Sequence, residues 1–321
     1  LVKSAGDSKG VVKVTQNGET VCRYGIALKV SGQSTANDPK KGYAGKLSNS
    51  KGKTADIKFG DWEPQSKLSL KAYFTDDSRS RDIVANRFFK QISQVGEYPY
   101  NLGYPLEACE TEGGTYVLPE AAPMGTDGFP VKLFINGIYQ GLYINRTSGD
   151  NQDWLIDDSN PNHYLLQADH AGAAMWGTIP WSSGFNPAFW DVTSPSMKGY
   201  VNQSDFSSTF PTQYAKCSEP FDWIKGVIGG TVDFDSTVDA MWDLQSVYTY
   251  IIASEVSDNS DGIANNLYIL NYGTKWYIKW YDLDETFGRG YMTNRDPVSI
   301  GMITQTNSVG SSSDTQVTAI W

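Results

Sequence analysis

Asp258-Asn259-Ser260-Asp261-Gly262-Ile263-Ala264-Asn265-Asn266-Leu267-Tyr268-Ile269-Leu270, followed by Trp280-Tyr281-Asp282-Leu283-Asp284-Glu285-Thr286-Phe287-Gly288-Arg289, is the stretch whose reading decides the fold. It is entered from Ser236 to Ser254, where Val238, Met241, Trp242, Leu244, Val247, Tyr248, Ile251 and Ile252 recur at helical spacing and predict an apolar helix face. The polar loop Glu255 to Asn265 follows. Leu267 to Asn271, the turn Tyr272-Gly273-Thr274 and Lys275 to Tyr281 then read as a β-hairpin. A helix therefore delivers a loop carrying Asp261, with Asn266 five positions on, and a hairpin leads to Asp282.

That order is the order of a phosphoryl-transfer site. There an Asp accepts the proton of a hydroxyl, an Asn five positions later holds a divalent cation, and a second Asp one hairpin further bridges metal and phosphates. The residue types suit the task, because Mg²⁺ takes hard oxygen ligands in near-octahedral geometry. Asp and Asn are also the ordinary residues of loops, and Asp282-Leu283-Asp284 reads equally as a Ca²⁺ loop or a solvated strand end.

Working outward, the first stretch reads as β. Val11 to Thr15, the turn Asn17-Gly18 and Thr20 to Val30 predict a hairpin, with short strands at Asp56 to Phe59 and Lys67 to Phe74 beyond a polar loop, Ser31 to Gly45. The period changes near Asp76. Val84, Ala85, Phe88, Phe89 and Ile92 predict a helix over about 80 to 92, capped by Ser78 or Ser80. Val131 to Ile135 and Tyr139 to Ile144 flank Asn136-Gly137, a second hairpin. The middle, Asn145 to Pro220, is expected to be loop-rich, its Trp154, Trp176, Trp181 and Trp190 packing as core rather than presenting a carbohydrate-stacking face. Helix resumes at Phe221 to Ile228.

Composition bounds the classes. With 321 residues, 26 Lys+Arg, 36 Asp+Glu and a net charge of −10, the chain is large enough for one or two domains and argues against non-specific binding to nucleic acid. Aromatic residues at 13% exclude a disordered chain. No apolar run approaches the length of a membrane span. Cys22, Cys109 and Cys217 are too far apart for a metal knuckle, although one bridge is open to them, and His163 and His170 are too few for a histidine metal site. The sequence begins without Met and stops after the turn-like run Gly310 to Asp314, and reads as a fragment or processed product.

Taken together, these motifs resemble the spore coat protein H (CotH) kinase family, in which D-G-x-x-x-N-Y precedes an apolar hairpin and W-D-x-D-x-T-F-G. Asp261-Gly262 with Asn266, and Asp282-Leu283-Asp284-Glu285-Thr286-Phe287-Gly288, stand at those places. Val131 to Tyr143 resembles the family's V-x-L-x-I-N-G-x-Y-x-G-L-Y hairpin, and Lys71-Ala72-Tyr73-Phe74 with Asp76 or Asp77, Ser78 and Arg81 its strand and helix start. Ser31-Gly32-Gln33-Ser34-Thr35 and Lys40-Lys41-Gly42-Tyr43 resemble its phosphate-side loop. Three positions depart: Ser31 replaces an Arg, Asn145-Arg146-Thr147 stands where a Glu is usual, and Tyr281 separates Trp280 from Asp282. That Glu would have been the partner of an ATP-orienting Lys.

The resemblance implies an α+β, two-lobed atypical protein-kinase-like fold, with a β-rich N-terminal lobe over 1–145 and a C-terminal lobe over 146–321 that includes the insert 146–220. It implies Asp261 as proton acceptor and Asn266, Asp282 and Asp284 as metal ligands. Lys46, Lys41 and Ser34 are the candidates for the nucleotide phosphates, with ATP and Mg²⁺ or Mn²⁺ as cofactors. The implied substrate is Ser or Thr of a coat or surface protein. The rival expectation is a catalytically impaired module in a larger extracellular assembly (a spore coat, cell-surface protein or phage tail spike), with an assembly partner or glycan as ligand. Either role favours an extracellular, spore-surface or virion location. A glycan hydrolase using Asp282 and Asp284 is the weakest reading, since residues two apart on a strand do not ensure the roughly 5–9 Å separation that chemistry needs.

Overall fold

A computed structural model describes residues 6–93 except 33, 61 and 63, then 110–112, 115–117, 125–147, 151–168 except 155, 184–187, 190–195, 203–259, 262 and 266–288. Two antiparallel sheets carry the architecture, so the chain is α+β. In the six-stranded sheet, β1 (Ser8–Gln16), β2 (Glu19–Ser31), β3 (Gly42–Ser48) and β4 (Lys67–Lys71) follow one another as a meander. The short pair β5 (Glu110–Glu112) and β6 (Thr115–Val117) stands apart, while β7 (Gly128–Ile135) and β8 (Ile138–Arg146) complete the large sheet, with β8 beside β4. Both Asn-Gly turns form as the sequence predicts. Asn17 and Gly18 at φ 52° and 85°, and Asn136 and Gly137 at 52° and 78°, have the paired positive φ of the turn that matches strand twist.

One face of this sheet is apolar. Leu68 and Leu70 of β4, Tyr43 and Leu47 of β3 and Tyr143 of β8 are buried there. Between β4 and β7 lies helix α1 (Arg81–Ser93). Asp76, not Ser78 or Ser80, caps it: the Arg81 N–H donates to Asp76 Oδ2 at 3.0 Å, and the Ser78 hydroxyl itself donates to Asp76. An ionised carboxylate there accepts more strongly than a hydroxyl and favours the helix N-terminus.

The second sheet has the order β10-β9-β11-β12, with β9 (Tyr164–Ala168), β10 (Trp190–Ser194), β11 (Leu267–Asn271) and β12 (Trp276–Trp280). Two of its strands come from the middle segment expected to be loop-rich, which also supplies α2 (Gln203–Thr209) and most of α3 (Pro211–Ile228). These strands are five residues each, too short to show a period. Pro211 starts α3 where a missing N–H costs nothing, and Pro220 lies within it. Trp154 and Trp190 are buried in the core with Trp276, Trp280, Phe89 and Phe221, as packing rather than display requires. Trp176 and Trp181 fall outside the described residues.

The helix read over Ser236 to Ser254 is two helices, α4 (Phe234–Met241) and α5 (Leu244–Ser257), each capped by an Asp, Asp233 and Asp243. Its faces also differ from the reading. The buried side of α5 carries Ser246, Thr249, Tyr250, Ala253, Ser254 and Ser257, while Tyr248, Ile252 and Val256 are exposed. Small residues let the helix approach β12 closely enough for the Ile278 N–H to donate to Ser246 Oγ at 3.2 Å. Cys22 and Cys217 are free. Among the described residues no helix is long and apolar enough to cross a membrane.

Candidate active site

The β11–β12 hairpin fixes the position of two of the sequence-derived site residues. Its register pairs Leu267 with Trp280, and beyond that rung the Tyr281 N–H donates to the Asn266 carbonyl at 3.0 Å. Asn266 therefore stands opposite the residue that precedes Asp282. Both Asn266 (φ 37°) and Asp282 (φ 51°) are in the left-handed region, as is Tyr73 (φ 41°). Asn and Asp tolerate that conformation, and Tyr does so at a cost that surrounding structure must offset.

What surrounds them is an ion network running from the large sheet to the hairpin. Arg146, the last residue of β8, donates through Nη1 to Asp282 Oδ1 at 2.6 Å and pairs at 2.5 Å with Asp82 Oδ2 in the first turn of α1. Lys71, the last residue of β4, has its Nζ 3.6 Å from the same Asp282 oxygen. Asp82 is wholly buried and also accepts from the Tyr73 hydroxyl, from Asn86 Nδ2 at 2.8 Å and from the Leu283 N–H at 2.8 Å. The Arg146 guanidinium lies 5.4 Å from the Tyr281 ring centre. One helix, two sheet strands and the hairpin end are thus tied through two carboxylates, one guanidinium and one ammonium.

The electrostatics sort the two acids after the hairpin. Burial alone would push the Asp282 carboxyl up, but Lys71 and Arg146 outweigh it and hold the group well below the usual carboxylate range. Asp284 goes the other way: burial, then the like charges of Asp282, Asp82 and Glu285, raise it well above that range. A carboxyl raised by neighbouring acids is a place where a bound cation would relieve repulsion. Asp282, Asp284 and Asn266 are all hard oxygen donors and in type fit Mg²⁺ or Mn²⁺. Among the described residues, no three His, Cys, Asp or Glu side chains already stand together as a metal cluster.

The loop before the hairpin is held from α5. The Tyr250 hydroxyl donates to the Gly262 carbonyl, and the Gly262 N–H donates to Asn259 Oδ1 at 3.2 Å. A Cβ on Gly262 would sit 2.2 Å from Asn259 Nδ2 and 2.7 Å from the Tyr250 hydroxyl, so a larger residue there forces the Asn259 and Tyr250 side chains to shift. Asp261, the expected proton acceptor beside it, lies outside the described residues. After Asp284, the Thr286 hydroxyl donates to the Leu283 carbonyl at 2.9 Å, and the Phe287 ring packs at 5.8 Å on Phe88 of α1.

The expected phosphate-side residues are placed as follows. Lys46 is exposed on β3, directly opposite Lys67. The Lys41 ammonium donates to the Ala36 carbonyl at 2.8 Å, and Ser34 opens the 3-10 turn Ser34–Asn37. The residues that sequence reasoning missed are Lys71, Tyr73, Asp82 and Arg146. A signal existed for two of them: Lys71 lies in the alternating strand Lys67 to Phe74 that precedes the helix, and Arg146 follows the hairpin Val131 to Tyr143 where an acid is expected.

No curated protein matches the chain. The family model described as CotH kinase protein matches residues 28–317, nearly the whole length, a span that includes every site residue above. The chain belongs to the CotH kinase family.

Proposed function

We propose that this chain transfers the γ-phosphoryl group of ATP to a Ser or Thr hydroxyl of a coat or surface protein, in a two-lobed kinase-like arrangement. The observation that carries this reading is the Lys71–Asp282–Arg146–Asp82 network. A strand-end lysine meets the acid that follows the hairpin, and the first turn of α1 is tied into the same contact. Kinases require a strand lysine, a helix carboxylate and a hairpin-end acid to be in place together.

In the proposed reaction the hydroxyl oxygen attacks the γ-phosphorus and its proton passes to the Asp261 carboxylate. The bond to the β,γ-bridging oxygen breaks, and ADP leaves with that electron pair. Asn266, Asp282 and Asp284 would hold Mg²⁺ or Mn²⁺, which neutralises phosphate charge when bound. Both basic contacts to Asp282 use Oδ1. Lys71 is the residue we assign to the ATP phosphates. Arg146 and Asp82 orient Asp282.

A second reading is favoured by one observation. Arg146, at a place where the family tends to carry an acid, neutralises Asp282 without a metal. A module so altered would serve as a structural, receptor- or glycan-binding part of an extracellular assembly. Incubation with γ-labelled ATP, Mn²⁺ and an array of surface proteins separates the two. Transfer abolished by Asp261→Ala, with ATP binding kept, supports the kinase. A parent chain that labels no acceptor supports the module.

A further inference from the structure

The second face of the six-stranded sheet carries charge of one sign. In register, Lys9 lies opposite Ala27 and Lys13 opposite Arg23; Ala27 lies opposite Lys46, and Lys29 opposite Ala44. Lys46 lies opposite Lys67, and Ser69 opposite Arg146. Directly opposed residues, and residues two or four apart on one strand, share a face. Lys9, Lys13, Arg23, Lys29, Lys46 and Lys67 are therefore on one side, all exposed, and the same side continues to Lys71 and Arg146 at the candidate site. The six strands hold nine Lys or Arg against one acid, Glu19, so they carry +8 in a chain of net −10, leaving −18 on the rest.

Edge protection explains lysines on β1, an outer strand, but not on the interior strands β2, β3 and β4. Like charges directly opposite destabilise a sheet, and this face has two such pairs, Lys13 with Arg23 and Lys46 with Lys67. An anion lying across the face would relieve that repulsion. From β1 to β4 and from Arg23 to Lys29 the face measures about 14 by 20 Å, the length of an extended peptide of about six residues. Between the cations of β1 to β4 stand Val11, Gly25, Ala27, Ala44 and Ser69, so this part of the face has no aromatic ring to serve as the stacking platform of a single-strand nucleic-acid surface.

We propose that this face docks an acidic, extended protein segment and leads it toward the candidate site. The identification of the anion as protein rests on the kinase reading; the docking itself needs no nucleotide. The experiment titrates a fluorescein-labelled Glu/Asp-rich dodecapeptide containing one Ser into the full chain without ATP, at about 50 and 300 mM salt. The parent should bind, and the triple variant Lys9→Glu, Lys13→Glu, Arg23→Glu should bind at least about tenfold more weakly. Raising the salt should weaken the parent far more than the variant. Control charge reversals at Lys216 and Lys225, outside the sheet, should change nothing. Matching melting temperatures for parent and triple variant exclude misfolding; if the triple variant melts early, Lys9→Gln, Lys13→Gln replaces it, with a proportionally smaller loss expected. No peptide binding, or binding indifferent to these variants, overturns the proposal. So does single-stranded DNA that binds more tightly than the peptide, or light scattering that shows the face binding a second copy of the chain. Failure of phosphate transfer would leave the docking result standing, so the two claims fail separately.

Discussion

Replacing Arg146 with Met tests whether the network really joins the sheet to the hairpin. The Arg146 side chain is 1% exposed and its partner Asp82 is 0% exposed, so the substitution leaves a carboxylate buried without its cation. Removing one member of a buried pair costs about 3–5 kcal/mol. Asp82 keeps the Tyr73 hydroxyl, Asn86 Nδ2 and the Leu283 N–H as donors, which places the expected loss at the lower end, about 3 kcal/mol. Urea unfolding of parent and variant gives the number directly. The double variant Arg146→Met, Asp82→Leu should recover much of it, since an apolar pair removes the stranded charge. There is also a pH signature. Asp282 has a folded pKa below its unfolded value, so its contribution is present above about pH 4 and disappears as the pH falls through the folded pKa. Arg146→Met should shift that loss to higher pH. A cost under about 1 kcal/mol, or no recovery in the double variant, would refute the network.

Lys71→Ala should weaken ATP binding at least about tenfold while changing stability by no more than about 1 kcal/mol, because its ion pair is partly exposed; calorimetric titration and urea unfolding check the two halves. Gly262→Ala should cost about 1–3 kcal/mol and depress transfer, because its Cβ meets Asn259 and Tyr250; an activity equal to the parent's would show that the loop can move aside. Lys279 is buried against Trp154 and Trp280, and burial pushes its ammonium down to about 8 against the opposing pull of Asp243. A lysine whose folded pKa lies below its unfolded value favours folding more as pH rises above the folded pKa. The parent should therefore gain stability relative to Lys279→Met between pH 7 and pH 9, read as the difference in melting temperature.

Much of this was legible because local chemistry and global fold agree. Asn17-Gly18 and Asn136-Gly137 dictate hairpins by the positive φ they accept, and the chain obeys. Phe88, Phe89 and Ile92 announced α1 by period alone. The site was legible in part, since Asn266 and Asp282 are brought together by a hairpin encoded within fifteen residues. The missed residues are those whose role depends on contacts far along the chain. Arg146 meets Asp82 and Asp282 across 64 and 136 positions, and Lys71 reaches Asp282 only because β4 and β8 are neighbours. Helix α5 misled in part: its Ser and Ala face is buried by close approach to β12, and of the expected apolar face Leu244 and Val247 pack against the core while Tyr248 and Ile252 point to solvent. The one-sided charge of the large sheet was hidden by a net charge of −10, because only strand register sorts the lysines onto one face.

The central claim is that Asp282 is the acid that holds a nucleotide-bound cation, with Lys71 and Arg146 as its present neighbours. The direct measurement is the melting temperature of the parent and of Asp282→Ala, titrated with ATP in the presence of Mg²⁺ or Mn²⁺. Binding to the folded state alone must raise the parent's melting temperature, by about 2.7 kcal/mol of stabilisation at a hundredfold excess over Kd. A rise in the parent that Asp282→Ala abolishes is the predicted result. No rise in the parent at millimolar ATP with either metal, or an equal rise in both proteins, would contradict the account.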